Sequence, residues 1–165
     1  MKLMDEVLSK DNLNQAYLQV TRNKGASGVD DMTCEEVKDY LKVHGDELIS
    51  QIKSREYKPL PVRRVEIPKP NGGVRKLGIP TVIDRIIQQA LVQKLTPIFE
   101  PTFSEYSYGF RLNRRCQNAI DKALELLNQG YEWIIDLDLE KFFDNVPQDK
   151  LIRLVDNMVN DSDIT

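Results

Sequence analysis

Apolar positions recur at helical spacing in six stretches and alternate in the strand manner in two. Leu13, Tyr17 and Val20 share a helix face after Asp11-Asn12, either of which can cap it, and Gly25 and Gly28 stop it. Thr33 offers a capping box with Glu36 for a second helix through Val37, Leu41 and Val43. Gly45 is expected to break that helix and Asp46 to cap a short third one carrying Leu48, Ile49 and Ile52. Val65 and Ile67 alternate with Arg64 and Glu66, and the strand pattern resumes at 74–79 after the turn-forming run Pro68-Lys69-Pro70-Asn71-Gly72-Gly73. This predicts a β-hairpin with a basic tip, bracketed by prolines.

A further helix is expected over 81–96, with Ile83, Ile87 and Leu91 on one face and Pro97 and Pro101 ending it. Residues 99–115 read as an irregular stretch rich in aromatics and arginines. Helix returns at 117–127 through Ile120, Leu124 and Leu127, and Gly130 closes it. Trp133-Ile134-Ile135-Asp136-Leu137-Asp138-Leu139 reads as a buried strand interrupted by two acids, and 149–159 as a last helix. The order is an α-rich head, a hairpin, helices, one strand and a helix, so the sheet is short of strands.

The chain has 165 residues, room for one ordinary domain or a piece of a larger one. With 41% hydrophobic and 30% charged residues, it can build a core and is not disordered throughout. No run of eighteen apolar residues and no apolar N-terminal segment occurs, which excludes a membrane-spanning helix or a secretory leader in these residues. Cys34 and Cys116 match no metal or redox spacing, and a reducing, cytoplasmic compartment is the default expectation.

Net charge is −3, but it is unevenly spread. Residues 53–115 hold 13 Lys and Arg against 5 Asp and Glu, while the remainder holds 10 against 21. A basic middle between acidic ends points to an anionic partner for the middle.

Asp136 and Asp138 carry the sharpest chemical signal. Two residues apart on a strand, they share a face roughly 6.5–7 Å apart. Carboxylates inside an apolar run are costly unless they open to a cleft, pair, or hold a cation such as Mg²⁺. Paired aspartates after a strand also suit phosphatases and sugar transferases, and a strand end whose acids meet lysines suits no catalysis at all. Lys69 and Arg75 flank the hairpin tip, where cations and glycine N–H groups could grip a triphosphate or a nucleic-acid backbone, or simply solubilise a turn. Tyr106-Ser107-Tyr108-Gly109-Phe110-Arg111, followed by Arg114-Arg115, allows base stacking and phosphate contact, as equally it allows a loop anchored by buried aromatics. The single histidine, His44, lies in the acidic head, so no Ser-His-Asp or Cys-His set can be assembled.

Six segments occur in a telling order: Asn12-Leu13-Asn14-Gln15-Ala16-Tyr17, then Asn23-Lys24-Gly25-Ala26-Ser27-Gly28-Val29-Asp30, then Ile67 through Pro80. Asp84-Arg85-Ile86-Ile87-Gln88-Gln89-Ala90, Ser107-Tyr108-Gly109-Phe110-Arg111 and Asp136 through Asp144 follow. Together they closely resemble the N-terminal part of a bacterial group II intron-encoded reverse transcriptase, or maturase, over nearly the whole chain.

The resemblance implies an α+β fold: reverse-transcriptase fingers with an N-terminal helical extension (1–52), a basic fingers region with the hairpin (53–115), and the first strand-helix of a right-hand palm (116–165), an incomplete polymerase fold. It implies Asp138 as the catalytic, Mg²⁺-binding acid, the Leu139 carbonyl as a second metal ligand and Asp136 as a supporting acid. Lys69 and Arg75 would hold the triphosphate. Phe143 would gate against a ribose 2′-OH, with adjacent Phe142 as the alternative. Arg63, Arg64, Arg85, Tyr108, Arg111, Arg114 and Arg115 would lie along RNA. The partners implied are group II intron RNA, RNA template–primer and deoxynucleotide triphosphates, with two Mg²⁺ ions in a complete palm, no membrane, and self-association through open strand edges.

Three departures from the family pattern are Asp31 in place of glycine, Leu112 in place of proline, and Pro147-Gln148-Asp149 in place of Asn-His-Asp. Only 27 residues follow Asp138, and they include no Tyr-x-Asp-Asp element. A fragment that binds RNA, holds Mg²⁺ weakly or not at all and does not polymerise by itself is therefore expected. The competing expectation is a non-catalytic RNA-binding module in which Asp136 and Asp138 are structural.

Overall fold

The computed structural model describes residues 2–70 and 72–165; Asn71 of the expected hairpin tip lies outside the described residues. The chain divides into two compact units, Met1–Thr96 with Asp161–Thr165, and Pro97–Asn160.

The first unit begins with α1 (Leu3–Val7) and α2 (Lys10–Arg22). Ser9, rather than Asp11 or Asn12, caps α2, its Oγ accepting from the Asn12 backbone N–H at 3.4 Å. Asn12 thereby falls inside the first turn and is buried. Its Nδ2 donates to the carbonyls of Val7 (2.8 Å) and Ala90 (3.0 Å), and its Oδ1 accepts from Gln93 Nε2 (2.8 Å). A buried amide so satisfied ties α1 and α2 to the helix of residues 82–99.

The Thr33–Glu36 box forms in both directions, Thr33 N–H to Glu36 Oε2 at 2.9 Å and Glu36 N–H to Thr33 Oγ1 at 3.3 Å. It precedes α3 (Val37–Lys53), which runs unbroken through Gly45. The expected break and the short third helix are thus one continuous helix. A helical glycine costs only about 0.5–1 kcal/mol. Val37, Leu41, Leu48 and Ile52 stay in phase toward the core only if the helix continues.

Strands β1 (Arg63–Pro68) and β2 (Val74–Ile79) pair antiparallel with Val65 opposite Leu77 and Ile67 opposite Arg75. Helix α4 (Val82–Phe99) passes through Pro97 and tightens into a 3₁₀ turn at Glu100–Thr102, so it ends one turn later than expected. Proline's fixed φ suits a helix, and near its end only one hydrogen bond is lost. Thr81 caps α4: its Oγ1 accepts from Asp84 N–H (3.1 Å) and donates to Asp84 Oδ2 (2.7 Å). Val7, Leu8, Ala16, Cys34, Val37, Val82, Ile83, Ile86 and Ala90 form the buried core, all within this unit. The Asp161–Thr165 segment returns to α1, with Asp161 Oδ2 accepting from Met4 N–H at 3.2 Å. Asp163 pairs with Lys2 (2.8 Å) and Arg55 (3.0 Å), which hold its carboxyl below the usual carboxylate range.

The second unit contains the irregular stretch after Thr102, α5 (Cys116–Asn128) closed by Gly130 at φ +94°, α6 (Phe142–Asn145) and α7 (Gln148–Val159). The expected buried strand at 133–139 is neither a strand nor buried: Trp133 is 95% exposed and Leu137 88%. A strand is held by its ladder partners, and the strands among the described residues, β1 and β2, pair only with each other. No helix among the described residues is long and apolar enough to cross a membrane.

Candidate nucleic-acid interface

The hairpin presents its cations by register. Directly opposed residues share a face, so Arg63, Val65 and Ile67 lie with Ile79, Leu77 and Arg75. Beyond β1, Lys69 N–H donates to the Gly73 carbonyl at 3.0 Å, and Gly72 N–H to Lys69 O at 3.1 Å. Period-two alternation then carries Lys69 to the face of Arg75. Gly72 and Gly73 take φ of +81° and +87°, the left-handed region that closes the tip at no steric cost. Both cations are exposed and pair with no acid among the described residues. On the opposite face, Arg64 lies opposite Gly78, while Glu66 faces Lys76.

Two other arginines hold loops. Arg63 Nη1 reaches Ser27 Oγ and Asp31 Oδ1, each at 3.4 Å. Arg85 Nη2 donates to the Ala26 carbonyl at 2.7 Å, and its buried Nε has no partner among the described residues. The glycines of residues 24–30 are there for approach as much as for turning. A Cβ at Gly28 would stand 2.7 Å from the Thr81 backbone, and one at Gly25 would overlap the Arg85 guanidinium. Tyr57 adds a contact that sequence reasoning missed: its hydroxyl donates to buried Asp84 at 2.5 Å, and burial followed by that carboxylate pushes the Tyr57 phenol up. The Thr81-Val82-Ile83-Asp84 spacing was the available signal, since a hydroxyl followed three residues later by an acid marks a helix start.

In the second unit Arg111 organises its own loop. Its side chain is only 8% exposed, and its Nε and Nη2 both donate to Glu100 Oε1 at 3.0 and 2.8 Å. Nη1 serves the carbonyls of Ser104 (2.6 Å) and Ser107 (3.0 Å), and the guanidinium lies 5.3 Å from the Phe103 ring centre. Arg114 sits over the Tyr108 ring at 5.4 Å and donates to Glu105 O at 2.8 Å. Arg115, at the start of α5, uses its backbone N–H on Asn118 Oδ1 (2.9 Å) and leaves its side chain exposed. Phe110 stands fully out at φ +56°.

Asp136 and Asp138 are exposed, and neither pairs with a lysine or arginine among the described residues. Asp138 Oδ1 accepts the Leu139 N–H at 2.9 Å. Phe142 and Phe143 follow at once, ring centres 5.9 Å apart, Phe143 94% exposed. Hard carboxylate oxygens suit Mg²⁺ in kind. No group of three Asp, Glu, His or Cys side chains placed to hold a metal occurs among the described residues.

A family model described as "Reverse transcriptase (RNA-dependent DNA polymerase)" matches residues 67–163. Protein YkfC of Escherichia coli K12 is 36% identical over 98% of this chain and 44% of its own length. The group II intron-encoded protein LtrA of Lactococcus lactis subsp. cremoris is 36% identical over 97% of this chain and 26% of its own. A putative COX1/OXI3 intron 2 protein of Saccharomyces cerevisiae is 34% identical over 98% of this chain and 18% of its own. This chain therefore spans less than half the length of each of these relatives. Among solved structures, a chain of a Cas6-RT-Cas1–Cas2 complex superposes with a TM-score of 0.57 at 24% identity, covering 98% of this chain and 16% of that one, a likeness of fold.

Proposed function

Because the chain belongs to the reverse transcriptase family, we propose that it forms the fingers and opening palm segment of an RNA-directed DNA polymerase that also binds intron RNA and assists its splicing and mobility. The observation that carries this reading is the hairpin register, by which Lys69 and Arg75 fall on one face near the tip, exposed and unpaired with any acid among the described residues. Two free cations on one face of the hairpin suit a deoxynucleotide triphosphate. Arg64, Arg114 and Arg115, with Tyr108, offer the RNA contacts. Arg85 and Arg111 act behind them by holding loops, and Arg63, about half exposed beside Asp31, stays within reach of RNA.

Asp138, the Leu139 carbonyl and Asp136 remain the proposed metal-side group, with Phe143 or Phe142 as the 2′-OH gate. Two exposed acids without a cation partner fit a structural role poorly. One segment carrying these ligands cannot position two metal ions, so no step of synthesis is assigned to this chain, and it is proposed inactive alone. Its exposed apolar segment at 133–139 supports self-association, or cover by further residues of a longer protein.

The test is fluorescence-anisotropy titration of a structured RNA across a salt series, with duplex DNA as control. RNA-favouring, salt-steep binding is expected. Arg114→Ala should flatten the log–log slope by about 0.7–0.9, one phosphate contact. Arg111→Lys should weaken binding with the slope unchanged, because it disorders a loop rather than removing a phosphate contact. Absence of RNA binding at low salt would overturn the reading. Primer extension by this chain in Mg²⁺ would overturn its inactivity.

A further inference from the structure

Beside the proposed RNA contacts, Tyr108 and the first turns of α5 enclose an open cleft of about 440 Å³. That size falls within the range of roughly 300–1,000 Å³ that accommodates a small-molecule-sized group. Its charge is unlike that of the surrounding loop. Arg114 and Lys122 line it, but so do Asp121 and Glu125, and Lys122 is already held by Glu125 at 2.8 Å. The lining is thus neutral on balance, and a phosphate placed within it would meet the Asp121 carboxylate.

What the cleft offers instead is a stacking surface and unused hydrogen-bonding groups. The Tyr108 ring is half-buried under the Arg114 guanidinium, an aromatic and a planar cation of the kind on which bases stack. Asp121 is exposed and has no hydrogen-bond or ion-pair partner among the described residues. Asn118 spends its Oδ1 on the Arg115 N–H, leaving its amide N–H groups unused, and the Asn113 side chain is likewise without a partner among the described residues.

We infer that this cleft takes one unpaired guanine of a single-stranded RNA, stacked at Tyr108 and read on its Watson–Crick edge by Asp121. An ionised carboxylate is an acceptor with two oxygens and no donor. Guanine alone sets two N–H donors, N1–H and the N2 amino group, side by side on that edge, and an asparagine amide then suits its O6. Adenine and cytosine present one amino group beside an acceptor that would face the second carboxylate oxygen, and uracil presents one N–H between two carbonyls. The aspartate thus selects by leaving the wrong base unpaired.

The inference rests on the RNA-binding reading above, and the experiment separates the two. A short uridine-rich RNA carrying a single central guanosine is titrated into the full chain by fluorescence anisotropy. The same RNA with adenosine, cytidine, uridine or inosine at that position is titrated alongside. Guanosine should bind about tenfold more tightly than the others, near the lower end of what a bidentate base contact gives. Inosine, lacking the N2 amino group, should lose most of that preference. Asp121→Asn, an exposed isosteric change whose folding circular dichroism checks, should abolish the preference without weakening binding of the all-uridine RNA, because the amide no longer excludes the other bases and a negative charge is removed. Equal binding of every RNA, or a guanosine preference that survives in Asp121→Asn, overturns the inference and leaves the RNA-binding reading standing. No binding of any RNA at low salt overturns both.

Discussion

The helices of 82–99 and 116–128 obey the same apolar periodicity, yet they come to opposite ends. In the first unit Val82, Ile83, Ile86 and Ala90 of α4 are buried against α1, α2 and α3. In the second unit Ile120, Leu124 and Leu127 of α5 are each about half exposed, and no residue of Pro97–Asn160 is buried. The apolar stripe on α5 is more sharply segregated than that on α2 or α3, so amphipathicity is not what distinguishes the two. Burial needs a second face, and α4 has three other helices where α5, although its unit also holds α6 and α7, keeps its stripe about half exposed. A side chain's pattern states its preference; its neighbours decide whether the preference is met.

The two units should respond most differently to truncation of a corresponding apolar residue in each. Ile86→Ala should cost about 2–5 kcal/mol in urea unfolding, the usual range for emptying a packed site. Leu124→Ala, at 53% exposure, should stay within about 0.5 kcal/mol. Equal costs would mean that the second unit has a core of its own. A smaller effect of opposite sign is expected at Gly45, where an added Cβ meets nothing within 4 Å. Gly45→Ala should raise stability by about 0.5–1 kcal/mol, read as a higher midpoint in the same unfolding experiment. A loss there would show that α3 is not continuous. The smallest effect concerns Trp133, the single tryptophan, 95% exposed in the second unit. Its emission maximum in the native chain, diluted until it is monomeric, should match that of the denatured chain. A blue-shifted native maximum would place the 133–139 segment in an apolar setting and remove the contrast between the units.

Much of this was legible in the residues. The hairpin, its basic tip, the helix at 82–99 and the helices flanking the 133–139 segment follow from periodicity and turn chemistry, and the order of motifs identifies the family. Local errors came from competing local signals. Gly45 reads as a breaker because glycine disfavours helix, but its small cost loses to an apolar stripe that runs on through Ile52. Asn12 reads as a cap because its side chain suits one, but Ser9 does that work and Asn12 is drawn inside to satisfy three polar atoms. The arginines at 63, 85 and 111 read as RNA contacts because charge in a basic segment looks free. In the structure their guanidinium groups also bond Asp31, the Ala26 carbonyl and Glu100, Arg63 while staying about half exposed and Arg111 while nearly covered.

Which residues prefer water, which turns the chain can make and which chemistry its acids, cations and aromatics can support are properties of short stretches of residues, because propensity, capping and turn geometry are settled within a few positions. Which cations stay free, which aspartate is buried beneath a tyrosine, and that 133–139 lies exposed rather than in a sheet emerge only on folding. Each of those depends on what a distant segment does. A carboxylate such as Asp84 is buried because Tyr57 and Thr81 arrive to bond it, and a would-be strand remains irregular until another strand supplies its hydrogen bonds.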